Sequence, residues 1–161
     1  MKNKLLIAIM DCDMSLYEKC KKELIELYGE IQVEGQEYDF DKFTKYYQEE
    51  MGYGIAKRFL IFKKTLEKKD IADIKIKTTE IEKNFAIDDK RTINLDPGFI
   101  SKEELVLASF KKGTNYKEQI SDTVYAHKVL EFKEDDAIEF WHTFPDYRAN
   151  KEFFLDLVKN L

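Results

Sequence analysis

The chain has 161 residues, enough for one domain with a real core and short for two. With 43% apolar residues, 37% charged residues and a net charge of -5, it is neither a disordered chain nor a generic binder of polyanions such as DNA. No apolar run approaches the roughly 20 residues that span a bilayer, and Cys12 and Cys20 form neither a zinc pattern nor a disulfide framework, so the expectation is a single-domain cytoplasmic protein.

Leu5 to Met10 is a continuous apolar run, suited to a central strand. Ser15 and Glu18 fit a capping box, Leu16, Cys20, Leu24 and Leu27 follow at helical spacing, and Gly29 stands where a C-terminal cap belongs. Ile31 to Phe40 alternates as a second strand. Asp41 to Met51 reads as a short helix or ordered loop, broken by Gly52 and Gly54. Lys57 to Lys63 is a third strand. Ile71, Ile74, Thr78, Ile81 and Phe85 step by three and four, which predicts an amphipathic helix, although IADIKIK within it also alternates as a strand would. Asp88-Asp89 is a turn and Arg91 to Leu95 a fourth strand. This β-α-β-β-α-β order predicts an α+β fold with a ferredoxin-like core, an antiparallel sheet with two helices on one face. Pro97-Gly98 then reads as a tight turn, and Ser101 with Glu104 as a second capping box that starts a helix over 102–111. A loop at 112–115, a strand over 124–132, a charged turn at 134–136, a short strand over 138–143 and a final helix after Pro145-Asp146 complete the chain.

Three stretches concentrate residues that carry chemistry. In the first, Asn94 and Asp96 are two apart on a strand and share a face, with Arg91 nearby. They either receive a ligand or brace a turn. In the second, Tyr46, Tyr47 and Glu50 precede two glycines and Arg58. The third, Trp141 to Arg148, holds the only Trp, one of two His and one of two Pro. His142 and His127 read first as packed, hydrogen-bonded side chains, and no spacing predicts a metal site. Only three of 27 basic residues are Arg, and Arg58, Arg91 and Arg148 each fall in one of these regions. Guanidinium differs from ammonium in offering a planar fork to carboxylates and phosphates. Neither phosphate-loop pattern, G-x-x-x-x-G-K-[ST] or G-x-G-x-x-G, occurs.

YYQEEMG, KRF, ADIKIKT, KRTINLDPGFIS, LVLAS, VYA and W-x-T-F-P-D-Y-R occur in this order. Together they resemble an uncharacterised prokaryotic family catalogued as a domain of unknown function, some of whose members carry an automatic GTP-binding label. The resemblance runs from about Leu5 to the C-terminal helix. It marks Tyr46, Tyr47, Glu50, Met51, Gly52, Arg58, Lys75, Thr78, Arg91, Asn94, Asp96, Pro97, Gly98, Lys111, Tyr125, Pro145, Asp146, Tyr147 and Arg148 as motif positions. The chain departs from the family's pattern at His127, Lys117, Ser121 and Thr123.

The expectation is a cleft for a small anionic or phosphorylated ligand, nucleotide-like in character. Arg58, Lys75, Arg91 and Arg148 would bind charge. Glu50, Asp96 and Asp146 would orient the ligand, hold a metal ion, or act as acid or base, beside Asn94, with Tyr46, Tyr47 and Tyr147 as walls. The sequence names no cofactor, no reaction and no oligomeric state. The competing expectation is a non-catalytic module that docks a protein partner or single-stranded RNA on an aromatic surface.

Overall fold

A computed structural model describes residues 2–113 and 117–161. Strand β1 (Asn3–Asp11) lies at the centre of one antiparallel sheet because Leu5 to Met10 are apolar on both faces, each at most 1% exposed. Its odd residues Leu5, Ile7 and Ile9 pack against Tyr17, Cys20 and Leu24 of α1 (Met14–Tyr28) and Ile74 and Ile81 of α3 (Ile71–Phe85). Its even residues Leu6 and Ala8 pack beneath Tyr147 of α4 (Pro145–Ala149) and Phe154 and Val158 of α5 (Lys151–Lys159). Burying each such side chain is worth about 1.5–3 kcal/mol, so one uninterrupted apolar strand can anchor helices on both sides.

The strands are ordered β2-β4-β1-β5-β6-β8-β7, with every neighbouring pair antiparallel. Here β2 is Ile31–Glu34, β4 Ala56–Leu66, β5 Ile93–Ile100, β6 Glu104–Ser109, β7 Lys117–Gln119 and β8 Tyr125–Lys133. Two short strands hang on this path: β3 (Tyr38–Asp39) on β4 and β9 (Asp136–Glu139) on β8. The fold is α+β, as expected, and the predicted succession is present as β1-α1-β2-β4-α3-β5. The sheet continues past that core, and the C-terminal helices add a third layer on the face opposite α1 and α3.

Several local expectations are corrected. The segment after Ser101 is strand β6, not a helix. Leu105 to Ala108 are buried between β5 and β8, and the Ser101 hydroxyl accepts from the N–H groups of Glu103 and Glu104 in a hairpin closed by Ser101 N–H to the Glu104 carbonyl. A Ser three residues before a Glu fits such a turn as well as a helix cap. Pro97-Gly98 turns no corner; both lie inside β5. The cap of α1 is Asp13, whose carboxylate accepts from Ser15 N–H at 2.8 Å, rather than Ser15. The expected second strand is two pieces, separated where Gly35 approaches the Phe59 carbonyl. The strand at 138–143 is β9, ending at Glu139, because Thr143 instead bonds the Val129 carbonyl and the Phe140 N–H. Within the expected segment 41–51 the α-helical part is α2 (Gln48–Met51), and the final helix breaks at Asn150 into α4 and α5. The loop expected at 112–115 falls in part outside the described residues.

Candidate functional site

The site forms where the sheet divides. β5 pairs with β1 along its whole length but with β6 only at Gly98 to Ile100. The Leu95 N–H therefore has no strand partner on that side and donates to Glu82 Oε2 of α3 at 2.7 Å. Alternate backbone N–H groups point to the same side of a strand. The Pro97 nitrogen, two residues on, faces that same side and has no proton to give, so the β5–β6 ladder stops there. Directly beyond, Gly98 lets β6 come in close; a Cβ at this position would run into the Val106 carbonyl and stand 2.8 Å from Leu107 Cα. Pro97 opens the notch and Gly98 closes it.

Strand register decides which side chains face the notch. Residues directly opposite in antiparallel ladders share a face. Lys57, Met10 and Asn94 form one cross-strand row, and Phe59, Ala8 and Asp96 the next, both on the face covered by α4 and α5. Arg91, just before β5, is the hub. Its Nε and Nη2 donate to Glu50 Oε2 and Oε1 at 2.9 and 2.8 Å, a two-pronged pair, and its Nη1 donates to Asn94 Oδ1 at 2.6 Å. Asn94 Nδ2 in turn donates to Asp96 Oδ2 at 3.0 Å. Lys75 Nζ reaches within 4.0 Å of Asp96 Oδ1 from α3, and Glu82 Oε2 lies 3.9 Å from Arg91 Nη1. Hydrogen bonds from Arg91 hold the Glu50 carboxyl below its ordinary range, whereas burial pushes Glu82 up to about 7.

Behind this chain of polar groups lies a second one, deeper. Lys57 Nζ and Asp146 Oδ2 are 2.6 Å apart with both side chains 4% exposed, and the Tyr38 hydroxyl donates to the same carboxylate oxygen at 2.8 Å. The ammonium also sits 4.8 Å from the ring centres of Phe40 and Tyr147, a favourable cation–π setting. Tyr147 is buried, and its hydroxyl has no partner among the described residues. Tyr47 lies 5.7 Å beneath the Arg91 guanidinium, and Tyr46 packs edge-on against Tyr47 while remaining 76% exposed. Outside Arg91 opens a hollow of about 420 Å3 lined by Tyr46, Glu49, Glu50, Lys90 and Arg91.

Of the residues expected from the sequence, the structure brings together Tyr46, Tyr47, Glu50, Lys75, Arg91, Asn94, Asp96, Asp146 and Tyr147. It separates Arg58 and Arg148. Arg58 shares a row with Ile9 and Leu95 and so faces α1, where it covers the Tyr17 ring at 4.0 Å and donates to Glu37 at 3.0 Å. Near it, Asp11 is buried, one carboxylate oxygen has no partner among the described residues, and desolvation raises its pKa to about 6. Arg148 ties the Phe140 and Thr143 carbonyls and Glu139 together at the C-terminal corner. Trp141 stands 78% exposed on that corner. His142 Nε2 meets the Lys128 carbonyl at 2.9 Å, and burial holds His127 down at about 4, hence neutral at ordinary pH. Among the described residues no three His, Cys, Asp or Glu side chains gather as a metal set.

Lys57, Tyr38 and Glu82 were not anticipated. A signal existed for two of them. Lys57 stands two residues before Phe59, and so on the core side of a strand, and Glu82 continues the Lys75, Thr78 stripe at helical spacing. Tyr38 carried none. Among the described residues no helix is long and apolar enough to cross a membrane. No curated protein and no solved structure matches the chain. The model of the family described as Domain of unknown function (DUF4416) matches residues 1–160, and the chain belongs to that family.

Proposed function

We propose that the protein binds a small anionic ligand, phosphorylated or nucleotide-like, in the hollow outside Arg91. The observation that carries this reading is the position of Arg91, fixed by Glu50 and Asn94 on one side and open to the hollow on the other, with Lys90 beside it. A guanidinium held by a carboxylate is pre-organised, so it loses little freedom when an anion arrives. Three of its N–H donors are spent on Glu50 and Asn94, leaving one on each terminal nitrogen for the ligand. Tyr46 supplies a wall that can lie against a planar or sugar ring. Glu50, ionised through its pair with Arg91, orients the arginine rather than transferring a proton.

Titration calorimetry with inorganic phosphate, sugar phosphates and nucleotides tests this. Binding in the micromolar to millimolar range is expected. Lys90→Ala should weaken it severalfold with an unchanged melting temperature, since the Lys90 side chain is exposed. Absence of binding by every probe overturns the reading. The exposure of Tyr46 and Tyr53, at 76% and 82%, favours one competing reading, a platform on which bases of single-stranded RNA stack. Affinity for an oligonucleotide that falls steeply with salt, with no response to small phosphates, would establish it.

A further inference from the structure

Arg91 meets a carboxyl on its inner side as well as an open hollow on its outer side. Its Nη1, which donates to Asn94, lies 3.9 Å from Glu82 Oε2, and that same oxygen accepts from the Leu95 N–H at 2.7 Å. Glu82 is only 7% exposed, whereas the Arg91 side chain is 32% exposed and lines the hollow. The guanidinium therefore stands between an interior carboxyl and the space in which an anion would sit. After the Asn94 bond, Nη1 keeps one further N–H, and both neighbours draw on it. Two negative groups flanking one cation also repel each other, and burial of one of them weakens the screening by water.

Glu82 can relieve that repulsion by taking up a proton. Burial raises its pKa to about 7, against the opposing effects of the Leu95 N–H, Lys75 and Arg91, so its charge changes in the neutral range. The Leu95 N–H needs one oxygen only, which leaves the other to hold the proton. The ionisable groups that face Glu82 are Lys75 on its own helix, Arg91 and Asp96 from β5 and the residues before it, and Cys20 of α1. Glu50 and Tyr47 lie beyond Arg91. Burial pushes the Cys20 thiol up to about 12, which keeps it neutral. Asp11, the other carboxyl raised toward neutrality on this side of the sheet, responds to Arg58 and Glu37 instead. Resting on the ligand reading above, we infer that Glu82 is a positioning residue that links anion binding to a proton. When neutral it leaves Arg91 to the ligand; when ionised it draws the Nη1 donor inward and repels the anion. The site thus binds more tightly under mildly acidic than mildly alkaline conditions, and binding near neutrality takes protons from solution.

Sulfate is the probe, because its charge is constant across this range whereas phosphate titrates within it. Calorimetry on wild type should show sulfate held about fivefold more tightly at about pH 6 than at about pH 8. At about pH 7 the heat of binding should vary with the ionisation enthalpy of the buffer, in the sense of proton uptake. Glu82→Gln keeps an acceptor for the Leu95 N–H. It should bind sulfate at every pH as wild type does at the acidic end, with no buffer dependence. Asp11→Asn should keep the wild-type slope. Equal wild-type affinity at both ends without proton uptake, a slope retained in Glu82→Gln, or a slope removed by Asp11→Asn overturns the linkage while the anion site stands. If wild type binds sulfate at no pH, the linkage falls, and the ligand reading falls with it only if phosphate, sugar phosphates and nucleotides are silent too.

Discussion

At the scale of single residues, the pair Lys57–Asp146 carries the largest electrostatic commitment. Both side chains are 4% exposed and 2.6 Å apart. Removing one partner leaves an uncompensated charge under α4, a loss of about 3–5 kcal/mol. Lys57→Ala and Asp146→Ala are each expected to lower unfolding stability by that amount in denaturant titrations, whereas the double change to Met and Leu should recover most of it. Additive losses in the double variant would mean the two charges do not compensate one another. Composition could not have exposed this pair. Scarce arginine drew attention to Arg58, Arg91 and Arg148, and only Arg91 is in the site. Lys57 was one lysine among 24. What separates Lys57 from Arg58 is strand parity, which turns the first toward α4 and the second toward α1.

At the scale of elements, helix α1 was legible from its apolar spacing and strands β1, β4 and β8 from their apolar runs, whereas part of α3 also fitted a strand. The misread elements are those in which a local signal has two physical meanings. Ser101 and Glu104 suit a helix cap and a hairpin; the buried run that follows, closed between two strands, decides for the hairpin. Pro-Gly suits a turn, and also a strand whose ladder must end on one side while its neighbour comes close on the other. Gly98→Ala would force the β6 backbone away and is expected to cost about 3 kcal/mol or more, read by thermal or chemical unfolding. A cost under about 1 kcal/mol would mean β6 is free to retreat. Alanine at Gly52 has open space around its Cβ and pays only for its positive φ, so it serves as the comparison. The candidate site was half legible for the same reason: single strands and helices show which residues share a face, but only the closed sheet shows that β5, α3, α4 and the segment before Gly52 meet.

At the scale of the whole molecule, two buried carboxyl groups on the α1/α3 side of the sheet and the buried His127 shape the pH dependence of stability. Desolvation raises Asp11 from 3.8 to about 6 and Glu82 from 4.5 to about 7. A carboxyl whose pKa is higher in the folded state binds more protons folded than unfolded between the two values, so its contribution is complete below the unfolded value and lost as pH rises through the folded one. These two carboxyls therefore make stability fall from about pH 4 to 7, while His127, lowered by burial from 6.5 to about 4, contributes with the opposite sign between about pH 4 and 6.5, so the decline is reduced there and clearest above pH 6.5. Glu82→Gln, which keeps an acceptor for the Leu95 N–H, should flatten that decline by on the order of 3 kcal/mol, discounted by the nearby charges of Arg91 and Lys75. Glu34 and Glu50, both lowered by their partners, act with the opposite sign and weaken the fold below about pH 4.5. Identical pH profiles for wild type and Glu82→Gln across pH 4–7 would contradict the burial of the Glu82 carboxyl.

Only three rungs, Gly98 to Ile100 against Leu105 to Leu107, join the two wings of the sheet. The load of keeping the wings aligned passes to α3, which works as a strut. Its first turn, Ile71 and Ala72, rests on Val106 and Ala108 of the far wing, and its later turns rest on Ile93 and Leu95 of the near one. The same helix carries Lys75 and Glu82 to the notch, within 4.0 Å of Asp96 and 3.9 Å of Arg91, so the strut between the wings and the polar notch share one element.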